Sequence, residues 1–286
     1  MIDILTLNYN DFETTSLFVD HVKKFACVSN ILIVDNKSSD NSFSHLKKLE
    51  SEKIHIISSK YNGGYGSGNN IGIKYLKNKF NSKFVLLANP DVIVDEDALK
   101  RLESFLMCNE NYAVASPIML DNNKKIQYNT AFKIPSLWKY ILSLDLFFQK
   151  IFNPYVYPNI SIGGKHKDVD AVSGSMFMMN VDIMLRCGMF DEQVFLYCEE
   201  FILGMKLKKC GVKTALLCDS FFIHNHSVSI SKTFKSITSK RKLMMDSSLY
   251  VLKRYYKANP LTYFIGVMIA KISILEVLLV SLLKKD

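Results

Sequence analysis

The feature that most limits how this chain can fold is a strict alternation of short apolar runs with amphipathic stretches over residues 1–120. Ile2 to Leu7, Asn30 to Asp35, Ile54 to Ser58 and Phe84 to Ala88 read as strands. Thr15 to Phe25, Ser42 to Glu50, Asn70 to Asn78 and Asp95 to Cys108 read as helices, the last opened by acids that suit a helix N-terminus. Strands that are apolar throughout are buried on both faces, so the alternation predicts a parallel sheet covered by helices on each side. In such sheets the ligand site forms beyond the C-terminal strand ends.

Three polar segments fall there. Asp35-Asn36-Lys37-Ser38-Ser39-Asp40 follows the second strand, Asn62-Gly63-Gly64-Tyr65-Gly66-Ser67-Gly68-Asn69-Asn70 the third, and Asn89-Pro90-Asp91 the fourth. Asp35, ending the run Ile31-Leu32-Ile33-Val34, suits a ring N–H of a base or a ribose hydroxyl, and equally a cap for the turn before Ser42. The glycine-rich segment has the composition of a phosphate cradle and of an ordinary turn. It is neither a dinucleotide fingerprint, since Asn69 and Ile71 stand where the third glycine is needed, nor a P-loop, which excludes those two classes. Pro90 forces an extended exit that aims Asp91 outward, where a carboxylate can hold Mg²⁺ or Mn²⁺ together with diphosphate oxygens or can serve the turn before Asp95.

Beyond residue 120 the pattern changes. Residues 133–165, with Trp138 and three prolines, read as an irregular insertion or lid. Ala171 to Asn180 reads as a strand, Glu199 to Lys209 as a helix, Lys213 to Leu217 as a strand, and the stretch from about Ile237 as basic and apolar helices. Phe190-Asp191-Glu192 precedes the acid pair Glu199-Glu200. Adjacent carboxylates repel, which raises one pKa toward the range of a general base, although two acids also favour a helix N-terminus. Helical geometry turns neighbours about 100° apart, so at most one is expected to face a site. His224 and His226, following Phe221-Phe222-Ile223, allow one inward metal or phosphate ligand but no zinc site.

In this order the motifs resemble those of the family 2 glycosyltransferases, rhamnosyltransferase-like branch. The resemblance runs from Ile4-Leu5-Thr6-Leu7-Asn8-Tyr9-Asn10 through the three segments above to Ser173-Gly174-Ser175, Asp191, Glu199-Glu200 and His224, covering roughly residues 2–230. It implies an α/β fold of the GT-A type, a nucleotide-diphospho-sugar transferase with a Rossmann-like, mostly parallel sheet flanked by helices and a helical C-terminal extension. Residues 1–230 would be catalytic, with 1–120 binding the nucleotide sugar and 121–230 the acceptor, and 231–286 would be the extension. By resemblance Asn8, Asp35, Asn62, Gly63, Gly64, Gly68, Asn69, Asn89 and Asp91 would line the nucleotide-sugar site, and Asp91 and His224 would hold the divalent metal. The D-x-D element reads Asn89-Pro90-Asp91, so its first carboxylate is missing. Glu200 stands where the family's base motif usually has Asp, and is preferred to Glu199 as base for inverting transfer; Asp170 and Gly174 would border the acceptor. The implied donor is a dTDP- or UDP-sugar, with dTDP-rhamnose first, and the acceptor a glycan or a polyprenyl-diphosphate-linked sugar of surface polysaccharide assembly. The altered Asn89 and Glu200 leave open a non-catalytic nucleotide-sugar binding or scaffolding protein of the same fold.

Charge separates the chain in two. Lys and Arg exceed Asp and Glu by 36 to 27, yet residues 206–286 hold 15 against 4 while residues 1–205 hold 21 against 23. Tyr263 to Leu283 is apolar apart from Lys271 and Glu276, with basic residues on both sides. That suits docking on an anionic membrane surface, where each Lys or Arg contributes about 1 kcal/mol, and equally a helix packed on the catalytic domain or on the second subunit of a homodimer. No nucleic-acid reader motif accompanies the basic charge, so nucleic acid is not expected as a partner. Cys27, Cys108, Cys187, Cys198, Cys210 and Cys218 have no regular spacing, and Met1 to Tyr9 lacks a leader pattern. The expectation is a reduced, cytoplasmic protein, peripheral on the inner face of the cell membrane.

Overall fold

The computed structural model describes residues 1–157, 160, 162–225 and 236–283. Its first half follows the alternation: β1 (Ile2–Asn8), α1 (Phe12–Val22), β2 (Val28–Asp35), α2 (Ser42–Lys47), β3 (Ile54–Ser58), α3 (Gly64–Phe80), β4 (Phe84–Ala88), β5 (Val92–Val94), α4 (Glu96–Cys108) and β6 (Tyr112–Leu120). Then come β7 (Ala131–Phe132), α5 (Leu137–Leu142), α6 (Leu146–Ile151), β8 (Lys167–Val169), β9 (Ala171–Val172), β10 (Met176–Asn180), α7 (Val181–Arg186), α8 (Glu199–Lys209) and β11 (Lys213–His224). Two long helices follow, α9 (Ile237–Arg254) and α10 (Pro260–Leu283).

One nine-stranded sheet runs β3-β2-β1-β4-β10-β6-β11-β5, with β8 also on β11. Pairs among β1 to β4 are parallel, as is β6 with β11; β10 is antiparallel to both β4 and β6. Successive residues of the apolar runs serve opposite faces. Ile31 and Ile33 enter one core with Phe18, Leu99 and Leu102, whereas Leu32 and Val34 enter another with Ile73, Leu76 and Phe177. This two-sided burial is why β2 shows no polar alternation over Ile31 to Val34.

Helix α3 begins at Gly64, six residues before the expected Asn70, so the glycine-rich segment is its first two turns and not a loop. The cause is close packing. A Cβ at Gly68 would lie 3.0 Å from Leu7 Cδ2 and one at Gly64 would collide with Phe195 O. Four glycines among the first nine residues cost helix propensity but let the helix approach β1 and the 190–195 segment. Asn70 locks that approach: Nδ2 donates to Phe190 O (3.1 Å) and Glu192 Oε1 (2.8 Å), and Oδ1 accepts from Phe190 N–H (3.1 Å).

The stretch expected as one strand from Ala171 to Asn180 is two, β9 and β10, broken at Ser173-Gly174-Ser175. The insertion expected over 133–165 carries α5 and α6. The C-terminal helices are not a detached tail: Met245, Val251 and Leu252 of α9 and Ala270 of α10 share a third core with Tyr140, Ile141, Leu144, Phe201 and Ile202. Asp191 ties α9 down by accepting from the hydroxyls of Tyr250 (2.9 Å) and Tyr255 (2.5 Å).

Candidate active site

The antiparallel pairing of β10 with β4 places Met176 opposite Ala88, and one step further Asn89 N–H donates to Ser175 O at 2.7 Å. This bond carries the Ser173-Gly174-Ser175 turn to the end of β4. From there Gly174 N–H donates to Glu200 Oε1 at 3.0 Å, and the Tyr65 hydroxyl donates to Gly174 O. A Cβ at Gly174 would lie 2.5 Å from Glu200 Oε1, so the carboxylate's seat requires glycine. The Gly174 peptide thus lies between Tyr65 and Glu200.

A cavity of about 450 Å³ opens over this turn, lined by Tyr65, Asn89, Glu199, Glu200, His224 and Arg241 among others. A second, of about 200 Å³, is lined by Asn8, Asn36, Asn62, Gly64, Asn89 and Pro90 among others. Tyr65, Asn89 and Leu196 border both. The larger cavity wraps the start of α8, so both Glu199 and Glu200 reach it, contrary to the expectation that only one would. Burial raises the pKa of Glu199 well above the ordinary glutamate range and the Glu200 charge raises it further. Burial also raises Glu200, opposed in part by its backbone hydrogen bonds, including that from Gly174. Such shifts hold a carboxyl nearer the neutral range in which it can exchange a proton with a hydroxyl.

The short strand β5, too brief to announce itself in sequence, pairs with the end of β11 and sets Val92 opposite His224. That register brings His224 Nε2 within 3.2 Å of Asp91 Oδ1, with both side chains largely buried. Among the described residues no third His, Cys, Asp or Glu joins them in a metal-sized group. One carboxylate and one imidazole fit a divalent cation whose remaining positions go to phosphate oxygens and water. His226 lies outside the described residues.

Other expected residues are placed differently. Asp35 is buried and lines neither cavity; Oδ1 accepts from Asn8 Nδ2 (2.8 Å) and Ser38 Oγ (2.6 Å), and Oδ2 from Ser38 N–H (3.0 Å). It positions Asn8, which does line the smaller cavity. Gly63 is the N-cap of α3, and Gly68 and Asn69 are buried within that helix, away from both cavities. Asp170 lines neither of these two cavities: its oxygens accept from Lys208 Nζ and Ile134 N–H, both at 2.9 Å, in a separate depression with Tyr157. Sequence reasoning missed Asn36, whose Nδ2 donates to Asn62 Oδ1 and Gly64 O, each at 3.0 Å. It also missed Tyr65 as a wall between the cavities, and Arg241. Tyr65, the one aromatic among those glycines, carried a readable signal; Arg241 did not.

Residues 3–183 match the profile of glycosyl transferase family 2. The chain is 28% identical over 233 residues to the low-salt glycan biosynthesis hexosyltransferase Agl10 of Haloferax volcanii, covering 80% of this chain and 69% of that protein. It is 28% identical over 182 residues to the rhamnosyltransferase WbbL of Escherichia coli K12, covering 60% and 66%. Among solved structures, GalNAc-T7 with UDP, GalNAc and Mn²⁺ aligns over 90% of this chain at a TM-score of 0.62 and 12% identity; the chain spans half the length of that one. The sheet order and these matches agree on a GT-A glycosyltransferase fold with a C-terminal helical extension. With the motifs from Asn8 to Asp91 inside the matched region, the chain belongs to glycosyl transferase family 2.

Proposed function

We propose that this enzyme transfers a sugar, rhamnose first among candidates, with inversion from a dTDP- or UDP-sugar to a hydroxyl of a glycan or polyprenyl-diphosphate-linked acceptor in surface polysaccharide assembly. The observation that carries this reading is the Glu199-Glu200 pair facing the larger cavity, joined across Asn89 and Tyr65 to the smaller one, whose apolar walls carry Asn8, Asn36 and Asn62. The amide-rich smaller cavity, with Asn8, Asn36 and Asn62, suits the hydrogen-bonding edges of a nucleoside; the larger receives the sugar and the acceptor. Glu200, seated on Gly174, takes the proton of the acceptor hydroxyl as that oxygen attacks the anomeric carbon from the face opposite the leaving diphosphate. Glu199 beside it raises the pKa cost of carrying two charges, which favours one proton shared by the pair.

Asp91 and His224 would hold Mg²⁺ or Mn²⁺, which when bound supplies positive charge for the departing diphosphate. Helix α10 is long and apolar enough to cross a membrane, and its exposed apolar face supports peripheral attachment at the cytoplasmic face near a lipid-linked acceptor. Thermal melts with dTDP-, UDP- and GDP-sugars plus Mn²⁺ test the reading. A donor at 100 times its Kd should add about 2.7 kcal/mol of stability. Stabilisation by none of them would contradict it, and stabilisation without turnover would favour a binding protein of the same fold.

A further inference from the structure

Arg241 is 8% exposed and lines the larger cavity together with Glu199 and Glu200. Its partners are neutral: Nε donates to Ser273 Oγ (3.0 Å), Nη2 to Leu144 O (2.6 Å) and to Ser273 Oγ, and Nη1 only to the Met244 thioether (3.3 Å). Among the described residues it makes no ion pair; the carboxylates of Glu276 and Asp145 act on it from beyond contact range. A buried guanidinium is costly unless its charge is met, and this one keeps donors at Nη1 with nothing better than sulfur to receive them.

Its location indicates what meets the charge. Leu144 lies between α5 and α6, and Ser273 on α10, so Arg241 stands where the cavity wall joins the elements that carry the exposed apolar surface. On α10, Leu261, Phe264, Met268, Ile272, Leu275 and Leu279 recur at intervals of three and four and are all exposed. On α6, Phe147, Phe148 and Ile151 are exposed as well. Glu276 Oε2 accepts from Leu146 N–H (3.4 Å), holding the start of α6 against α10.

We infer that Arg241 binds the phosphate of an amphiphilic acceptor, with the sugar directed to Glu200 and the apolar chain to the α6 and α10 surface. This rests on the transfer reading above and adds a phosphate subsite to its acceptor side. The donors at Nη1, met only by the Met244 thioether, suit a charge-assisted contact with a phosphate oxygen, while Nε and Nη2 hold the guanidinium on Ser273 and Leu144.

Calorimetric binding of farnesyl diphosphate, farnesol and inorganic pyrophosphate, in EDTA without donor, tests the subsite separately from catalysis and metal. The expected result is that farnesyl diphosphate binds at least tenfold more tightly than farnesol and that Arg241→Gln removes that preference. Arg241→Lys, which keeps the charge, should retain part of it and serves if the glutamine variant does not fold. Ser273→Ala, which breaks the same packing tie without removing the charge, should keep the preference. Equal loss in Ser273→Ala, or an undiminished preference in Arg241→Gln, would reduce Arg241 to a packing residue and overturn the inference. Pyrophosphate binding as tightly as farnesyl diphosphate would overturn the lipid assignment. Donor turnover with Mn²⁺ that persists beside a failed binding test would leave glycosyl transfer standing without this subsite.

Discussion

The N–H of Gly174 donates to Oε1 of Glu200 across 3.0 Å, and the space a side chain at 174 would need is taken by that carboxylate. Gly174→Ala should therefore displace Glu200. Misplacement by about 1 Å can cost about 100-fold in rate. Steady-state kinetics should show a lower kcat with nucleotide binding retained; an unchanged kcat would mean that the seat does not govern the base.

The Glu199-Glu200 pair makes both activity and stability depend on pH. Each carboxyl has a folded pKa above its ordinary 4.5, so the stability associated with the protonated form is present below that value and is lost as pH rises through the folded pKa. The melting temperature should fall over that window, and Glu199→Gln should flatten the fall and raise the midpoint at neutral pH. Because a base acts ionised, the rising limb of kcat against pH should lie above the normal glutamate range. A limb at the ordinary glutamate value with pH-independent melting would contradict the assignment.

Asp170 accepts from Ile134 N–H and from Lys208, outside both cavities. Asp170→Ala should cost about 1 kcal/mol of stability by leaving the amide without its acceptor. The KM for acceptor should not change. A tenfold rise in that KM without destabilisation would place Asp170 at the acceptor.

The exposed stripe of α10 gives a membrane test that spares the cavity. Deleting the helices would remove Arg241, Met244, Met245 and Ser248 from its wall, whereas Phe264 and Leu275 are exposed. Phe264→Glu with Leu275→Glu should weaken sedimentation with vesicles containing phosphatidylglycerol and leave the melting temperature within about 2 °C. Unchanged sedimentation would move the attachment elsewhere.

Much of the first half was legible because Ile31 to Val34 of β2 and the whole of β4, buried on both faces, show as unbroken apolar runs, and because Asp95 caps α4 by accepting from Ala98 N–H. Helix α3 was not legible past its glycines: packing against Leu7 overrode propensity, and propensity is all that a local reading contains. Asp91 and His224 were each readable as candidate ligands, but their meeting depends on the three-residue β5. Arg241 lay hidden among basic residues because only the docking of α9 on α5 and α10 brings it to the cavity. Asp170 and Asp35 show the converse, acids at suggestive places whose oxygens already hold backbone and side-chain donors.

The most direct measurement is Mn²⁺-dependent turnover of the stabilising nucleotide sugar, with acceptor, by the wild-type chain, Asp91→Ala and Glu200→Gln. Turnover is expected in the wild type, with a loss of at least 100-fold in both variants. Glu200→Gln should still bind the donor with metal, while Asp91→Ala should bind it weakly. Wild-type rates persisting in both variants would contradict the proposed mechanism.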